Sequence, residues 1–180
     1  MVRVGSLLAL VCAAALGVGA AAGSPPERGV AVPVKREAVV RPALRAAPSC
    51  PIPARYRTAF AAAADDARLP LALLAAVAHV ESRFVADEQS PRGAVGLLQV
   101  LPTTGQALGL DVSGTEANVL AGARFLRAMM DRFGSSDVAL AAYNAGPAAV
   151  ERAGGAPSGD VVRYVANVNA RWRAHVGCGV

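Results

Sequence analysis

Leu71-Ala72-Leu73-Leu74-Ala75-Ala76-Val77-Ala78-His79-Val80-Glu81, followed by Ser82-Arg83-Phe84, decides how this chain is read. A run without a single Asp, Glu, Lys or Arg ends on a carboxylate. In a helix, side chains three, four and seven positions apart share a face, so Leu74, Val77, Ala78 and Glu81 point the same way. Desolvation disfavours the charged form of a carboxyl group and raises its pKa. A partly dry Glu81 therefore stays protonated toward neutrality and can protonate a leaving oxygen. The competing expectation is a Glu at a helix C-terminus that simply turns outward to water.

Outward from this run, the chain reads as a series of helices. Arg55 to Arg68 carries Tyr56, Phe60, Ala63, Ala64 and Ala67 as an apolar stripe, and Arg68-Leu69-Pro70 breaks it. Pro70 suits the first turn of the next helix, where its missing N–H costs nothing. Glu116 to Arg132 places Val119, Leu120, Ala123, Leu126, Met129 and Met130 at helical spacing. Asp137 to Asn144 follows and stops at Ala145-Gly146-Pro147, with Ala148 to Ala153 and Val161 to His175 as the last two helices. Pro91, Gly93, Gly96 and Pro102 predict an irregular or hairpin-like stretch between Asp87 and Thr104, with a short helix around Leu97 to Leu101. Aromatic residues make up only 4% of a chain that is 54% hydrophobic. The core must then be built from Ala, Leu and Val, which favours close-packed helices over a β-sandwich. The expectation is a mainly α domain over 55–176 with a short tail at 177–180.

The N-terminal region predicts export. Met1-Val2-Arg3 supplies a positive start, Leu7 to Leu16 an apolar stretch, and Ala20-Ala21-Ala22-Gly23 a small-residue cleavage site, giving a signal peptide over 1–23. An uncleaved membrane anchor over Val4 to Ala22 is the alternative. Residues 24–54 read as a Pro-rich basic linker. Charge is concentrated there: residues 24–57 hold seven Arg or Lys against two Glu, whereas 58–180 hold ten Arg against eleven Asp or Glu. The net +5 therefore does not describe the folded part, which lacks the basic excess of nucleic-acid binders. Cys50 and Cys178 flank the domain; in an oxidising compartment they join its two ends, the alternative being two free thiols. His79-Val80-Glu81 has no accompanying Cys-x-x-Cys, so neither a metal nor a cofactor is expected.

Three ordered motifs carry a family resemblance. Glu81-Ser82-Arg83-Phe84, Ser90-Pro91-Arg92-Gly93-Ala94-Val95-Gly96-Leu97-Leu98-Gln99-Val100-Leu101-Pro102-Thr103-Thr104 and Ala142-Tyr143-Asn144-Ala145-Gly146-Pro147 together resemble the soluble lytic transglycosylase domain, which is related to goose-type lysozyme. Asn118 to Leu126 also resembles a helix of that family, and the likeness runs from about Tyr56 to Trp172. It implies a lysozyme-like helical fold whose groove accepts peptidoglycan glycan strands. Glu81 would be the catalytic acid, producing 1,6-anhydro-muramoyl ends. The alternatives are a hydrolytic muramidase, which would need Asp87, Glu88 or another acid opposite Glu81, and a catalytically silent wall-binding module. On the same match Ser90, Gln99, Tyr143, Asn144 and Tyr164 become candidate substrate-binding residues. Gly93 and Gly96 allow close backbone approach or positive φ. The chain departs from the family pattern at Leu98, where Met is usual, and at Asp160 and Val161, where Glu and Thr are common. A periplasmic, envelope-bound or secreted monomer that opens the wall locally, for an envelope-spanning machine such as a secretion apparatus or pilus, completes the expectation.

Overall fold

The computed structural model describes residues 50–175, 177 and 178. The expected signal peptide and most of the expected linker lie outside these residues. A 3-10 turn over Ala54–Tyr56 leads into α1 (Arg57–Asp66), α2 (Leu71–Glu81), α3 (Pro102–Ala107), α4 (Thr115–Phe133), α5 (Ser136–Ala145), α6 (Pro147–Ala153) and α7 (Gly159–Ala174). Extended structure among the described residues is limited to the bridges Gln89–Val95 and Val95–Val100.

The centre of the domain is α2. Ala72 through Ala78 are all buried, so this helix is apolar around its whole circumference rather than on one stripe. It packs against α1 on one side and α7 on another, while α4 joins α1 to α5. Leu74, Val77, Val119, Leu126, Leu140 and Val168 are fully buried. Small side chains such as Ala75, Ala76, Ala121 and Ala141 let the helices approach closely, as the aromatic-poor composition requires.

Local chemistry sets the helix ends. Pro102 opens α3 at a position where its missing N–H is harmless. Gly134, with φ 67°, closes α4 in the left-handed conformation that a side chain disfavours. Ser158 caps α7, its hydroxyl accepting from the Val161 N–H.

The structure moves two expected boundaries. The short helix falls on Pro102–Ala107, and Leu97 to Gln99 form instead the turn of a hairpin. The packed domain also reaches back past the expected boundary at 55, because Ile52 is 1% exposed and sits in the core. Cys50 is bonded to Cys178, their Cα atoms 4.7 Å apart across a sequence separation of 128 residues. Residues 177 and 178 are thus tied to the domain rather than forming part of a free tail.

Candidate active site

The hairpin that follows α2 is held from three sides. Val95 and Val100 exchange both backbone hydrogen bonds at 3.0 Å, enclosing the loop Gly96 to Gln99. Ser82, one residue beyond α2, donates its hydroxyl to the Leu97 carbonyl at 2.8 Å and accepts from the Phe84 N–H at 3.1 Å. Tyr143 on α5 donates to the Leu98 carbonyl at 2.7 Å. Asn118 on α4, only 1% exposed, accepts from the Leu98 N–H at 3.0 Å and donates to the carbonyls of Val95 at 2.8 Å and Val112 at 3.3 Å. The Leu98 N–H and the carbonyls of Leu97 and Leu98, which the loop would otherwise bury unpaired, are satisfied by side chains from α4, α5 and the residue just beyond α2.

Two glycines make this seating possible. A Cβ on Gly96 would stand 2.5 Å from Asn118 Nδ2, and one on Gly122 would stand 2.5 Å from Leu98 Cβ. Leu98 therefore rests directly on α4 and is fully buried. Leucine fills the place where the resembled family usually has methionine, a near volume-conserving exchange. Gln99 adopts φ 46°, unusual for a side-chain-bearing residue. Its Nε2 donates to the carbonyls of Glu88 and Gly96, both at 3.0 Å.

Beside this hairpin, Glu81 is the last residue of α2 and is half-buried. Burial pushes its carboxyl pKa from 4.5 up to about 7, against the opposing effect of a hydrogen bond from Tyr164. The Tyr164 hydroxyl donates to Glu81 Oε1 at 2.7 Å. Burial, and next the neighbouring Glu81, push the Tyr143 and Tyr164 phenols well above their ordinary pKa, so both remain donors. The position at a helix C-terminus, where carbonyl dipoles converge, also disfavours negative charge on Glu81.

Glu81 opens into a groove of about 650 Å³. The segment from Ser90 to Thr104 and the segment from Tyr143 to Pro147 line it, together with Phe125. Ser90, Gln99, Tyr143 and Asn144 therefore come together with Glu81, as one cavity requires. The Ser90 oxygen accepts from the Ala94 N–H at 3.1 Å, which leaves its own proton for a ligand. Tyr164 stands apart from that set: it reaches Glu81 and does not line the groove. Asp87 and Glu88 are exposed and line a separate cleft with Asp111, so Glu81 is the sole carboxylate among the groove-lining residues.

The sequence reading assigned no role to Ser82, Asn118 or Phe125. Asn118 carried one usable signal, an amide within the apolar face of α4. Phe125 presents an aromatic ring to the groove, 5.3 Å from the Tyr143 ring, and such a face suits the apolar side of a sugar. His79 faces Arg171, whose Nη1 lies 3.1 Å from His79 Nε2, and its ring stacks on that of His175 at 6.1 Å.

Comparison with known proteins places this geometry. The model of the Transglycosylase SLT domain matches residues 58–160. Membrane-bound lytic murein transglycosylase F of Maricaulis maris (strain MCS10) is 36% identical over 100 residues, covering 51% of this chain and 22% of the relative. The transglycosylase of Enterobacteria phage PRD1 is 36% identical over 86 residues, covering 47% of this chain and 32% of the relative. The 70 kDa soluble lytic transglycosylase of Escherichia coli superposes with a TM-score of 0.59 at 25% identity, over 67% of this chain and 24% of that one. An inactive mutant of the lytic transglycosylase Slt from Pseudomonas aeruginosa gives 0.57 at 26% identity, again over 67% and 24%. The chain spans between about a fifth and a third of the length of these relatives. A helical domain with one shielded carboxylate in its groove, matched over residues 58–160, belongs to the Transglycosylase SLT domain family.

Proposed function

We propose that this chain is a peptidoglycan lytic transglycosylase that breaks the β-1,4 bond between N-acetylmuramic acid and N-acetylglucosamine. The observation that carries the reading is Glu81, alone among the groove's acids and with its pKa raised to about 7. Near neutrality a large fraction of such groups holds a proton. Tyr164 occupies Oε1, so that proton sits on Oε2 and passes to the leaving oxygen as the C1–O bond breaks. The N-acetyl carbonyl of the substrate supports the developing charge at C1. Glu81, now a carboxylate, takes the proton of the muramoyl C6 hydroxyl as that oxygen bonds to C1. The product is a 1,6-anhydro ring, and no water is consumed.

Ordinary glycosidases use a second carboxylate, about 5 to 9.5 Å from the first. The groove lining offers none, which favours this intramolecular route over hydrolysis. Ser90, the free carbonyl side of Gln99, and Asn144 supply hydrogen bonds for sugar hydroxyls and acetamido groups. Export to the periplasm through a cleaved signal over 1–23 is part of the proposal, supported by the Cys50–Cys178 disulfide, a bond that oxidising compartments maintain. No helix of the described residues is long and apolar enough to cross a membrane. A monomer acting locally for an envelope-spanning machine fits a domain of this size.

The decisive experiment digests purified murein and weighs the products. Anhydro-muropeptides, one water lighter than hydrolysis products, are expected. Reducing ends alone would select a muramidase, and binding without cleavage would select a silent wall-binding module.

A further inference from the structure

We infer that Arg92 reads carboxylates on the glycan strand and makes the groove selective for acid-bearing substrate. Of the groove-lining residues only Glu81 and Arg92 can carry a charge, and Arg92 is the sole cation. It is exposed, and among the described residues no carboxylate pairs with it. Among the described residues Arg124, Arg127, Arg132 and Arg163 have acidic partners, and of the arginines without one only Arg92 lines the groove.

The backbone beneath Arg92 is fixed. The Gly93 N–H donates to the Ser90 carbonyl at 2.9 Å, the Ser90 N–H to the Ala94 carbonyl at 2.9 Å, and the Ala94 N–H to the Ser90 hydroxyl at 3.1 Å. Gly93 turns the chain at φ 78°. Arg92 therefore projects from a stiff turn at the groove, where holding the backbone costs nothing further on binding. A planar guanidinium presents paired donors that match a carboxylate.

This inference rests on the proposed action on muramic-acid glycans, which carry carboxylates from two sources. Where the peptide is missing, the lactyl group itself ends in a carboxylate. Where the peptide is present, its acidic residues supply them. A neutral glycan gives Arg92 nothing to pair with, and near neutrality the charge of a partly ionised Glu81 works against acidic ligands elsewhere in the groove.

The test uses the full chain and glycan strands in three forms: peptide-free with the lactyl carboxylate, peptide-bearing, and each of these with its carboxyls converted to carboxamides. For each protein the readout is the ratio of kcat/KM on the acid form to that on its amide. Because both substrates meet the same enzyme sample, partial misfolding of a variant cancels from the ratio. Wild type should favour the acid about fivefold, the upper range for a solvent-exposed ion pair. Arg92→Gln should bring the ratio to about one, Arg92→Lys should keep most of it, and added salt should erode it in wild type. Preference confined to peptide-free strands assigns the lactyl carboxylate, and preference confined to peptide-bearing strands assigns the stem peptide. An equal ratio in wild type and Arg92→Gln overturns the inference. Should wild type cleave no strand, the proposed activity fails separately, and the same ratios are then read from dissociation constants.

Discussion

Replacing Glu81 with Gln should make this protein more stable, and only at the pH where the carboxyl would be charged. The folded state raises the Glu81 pKa from 4.5 to about 7, chiefly by burial. Below both values the folded and unfolded chains hold the proton alike. Between them only the folded chain holds it, so stability falls as pH rises. Above about 7 neither holds it, and the cost of a charged, half-dry carboxylate is complete at roughly 3 kcal/mol. Glutamine cannot ionise, matches the carboxyl in size, and still accepts a hydrogen bond from Tyr164. Glu81→Gln should therefore equal wild type at about pH 4 and exceed it by roughly 3 kcal/mol at about pH 8. For a domain of this size that is about 10 °C in Tm. Urea titration at both pH values checks the magnitude, and thermal melts check its sign. A stability difference that is the same at both pH values, or a Glu81→Gln protein less stable than wild type in alkali, refutes the argument that Glu81 is held in a desolvating site. Glycan cleavage by this variant should be lost.

Other perturbations test neighbouring contacts. Tyr164→Phe removes the hydrogen bond that opposes burial, so the alkaline limb of the kcat/KM profile should move upward by roughly one pH unit; a limb that stays in place or moves to lower pH contradicts the assignment. Asn118→Leu deprives the Leu98 N–H of its acceptor and the Val95 carbonyl of a donor. It should cost about 3 kcal/mol in urea denaturation and raise hydrogen exchange in the hairpin, whereas an unchanged exchange pattern would deny Asn118 its anchoring role. The Cys50→Ser/Cys178→Ser pair should lose up to about 5 kcal/mol of stability, the chain-entropy value for a loop of this length, measurable by denaturation in non-reducing buffer. No loss at all would show that the unfolded chain is not confined by the bond.

What the sequence made legible was local. The uncharged run ending at Glu81 announced the central helix, because burial of every residue from Ala72 to Ala78 needs no partner to be named, but by itself left open whether Glu81 faces the core or turns outward to water. A hairpin-like stretch between Asp87 and Thr104 was legible, but Leu97 to Leu101 read as a short helix where the structure has the turn. Its conformation is set by Ser82, Asn118 and Tyr143, which stand 15, 20 and 45 positions away from the groups they bond. Pro102 was read as a breaker when it opens α3, since proline serves both purposes and only the following residues decide. Tyr164 matched a motif position, yet its placement behind Glu81, 83 residues distant, depends on how α7 lies against α2. Pairings across such separations leave no periodicity to read.

The sulfur bridge turns residues 50 to 178 into a closed covalent circle whose two exits are 4.7 Å apart at the Cα atoms. Tension applied through the flanking segments, as when a tethered protein is pulled along the wall, is borne by the Sγ–Sγ link and bypasses the helices inside the circle. The groove can then keep its shape under a load that would unzip an open chain from its ends.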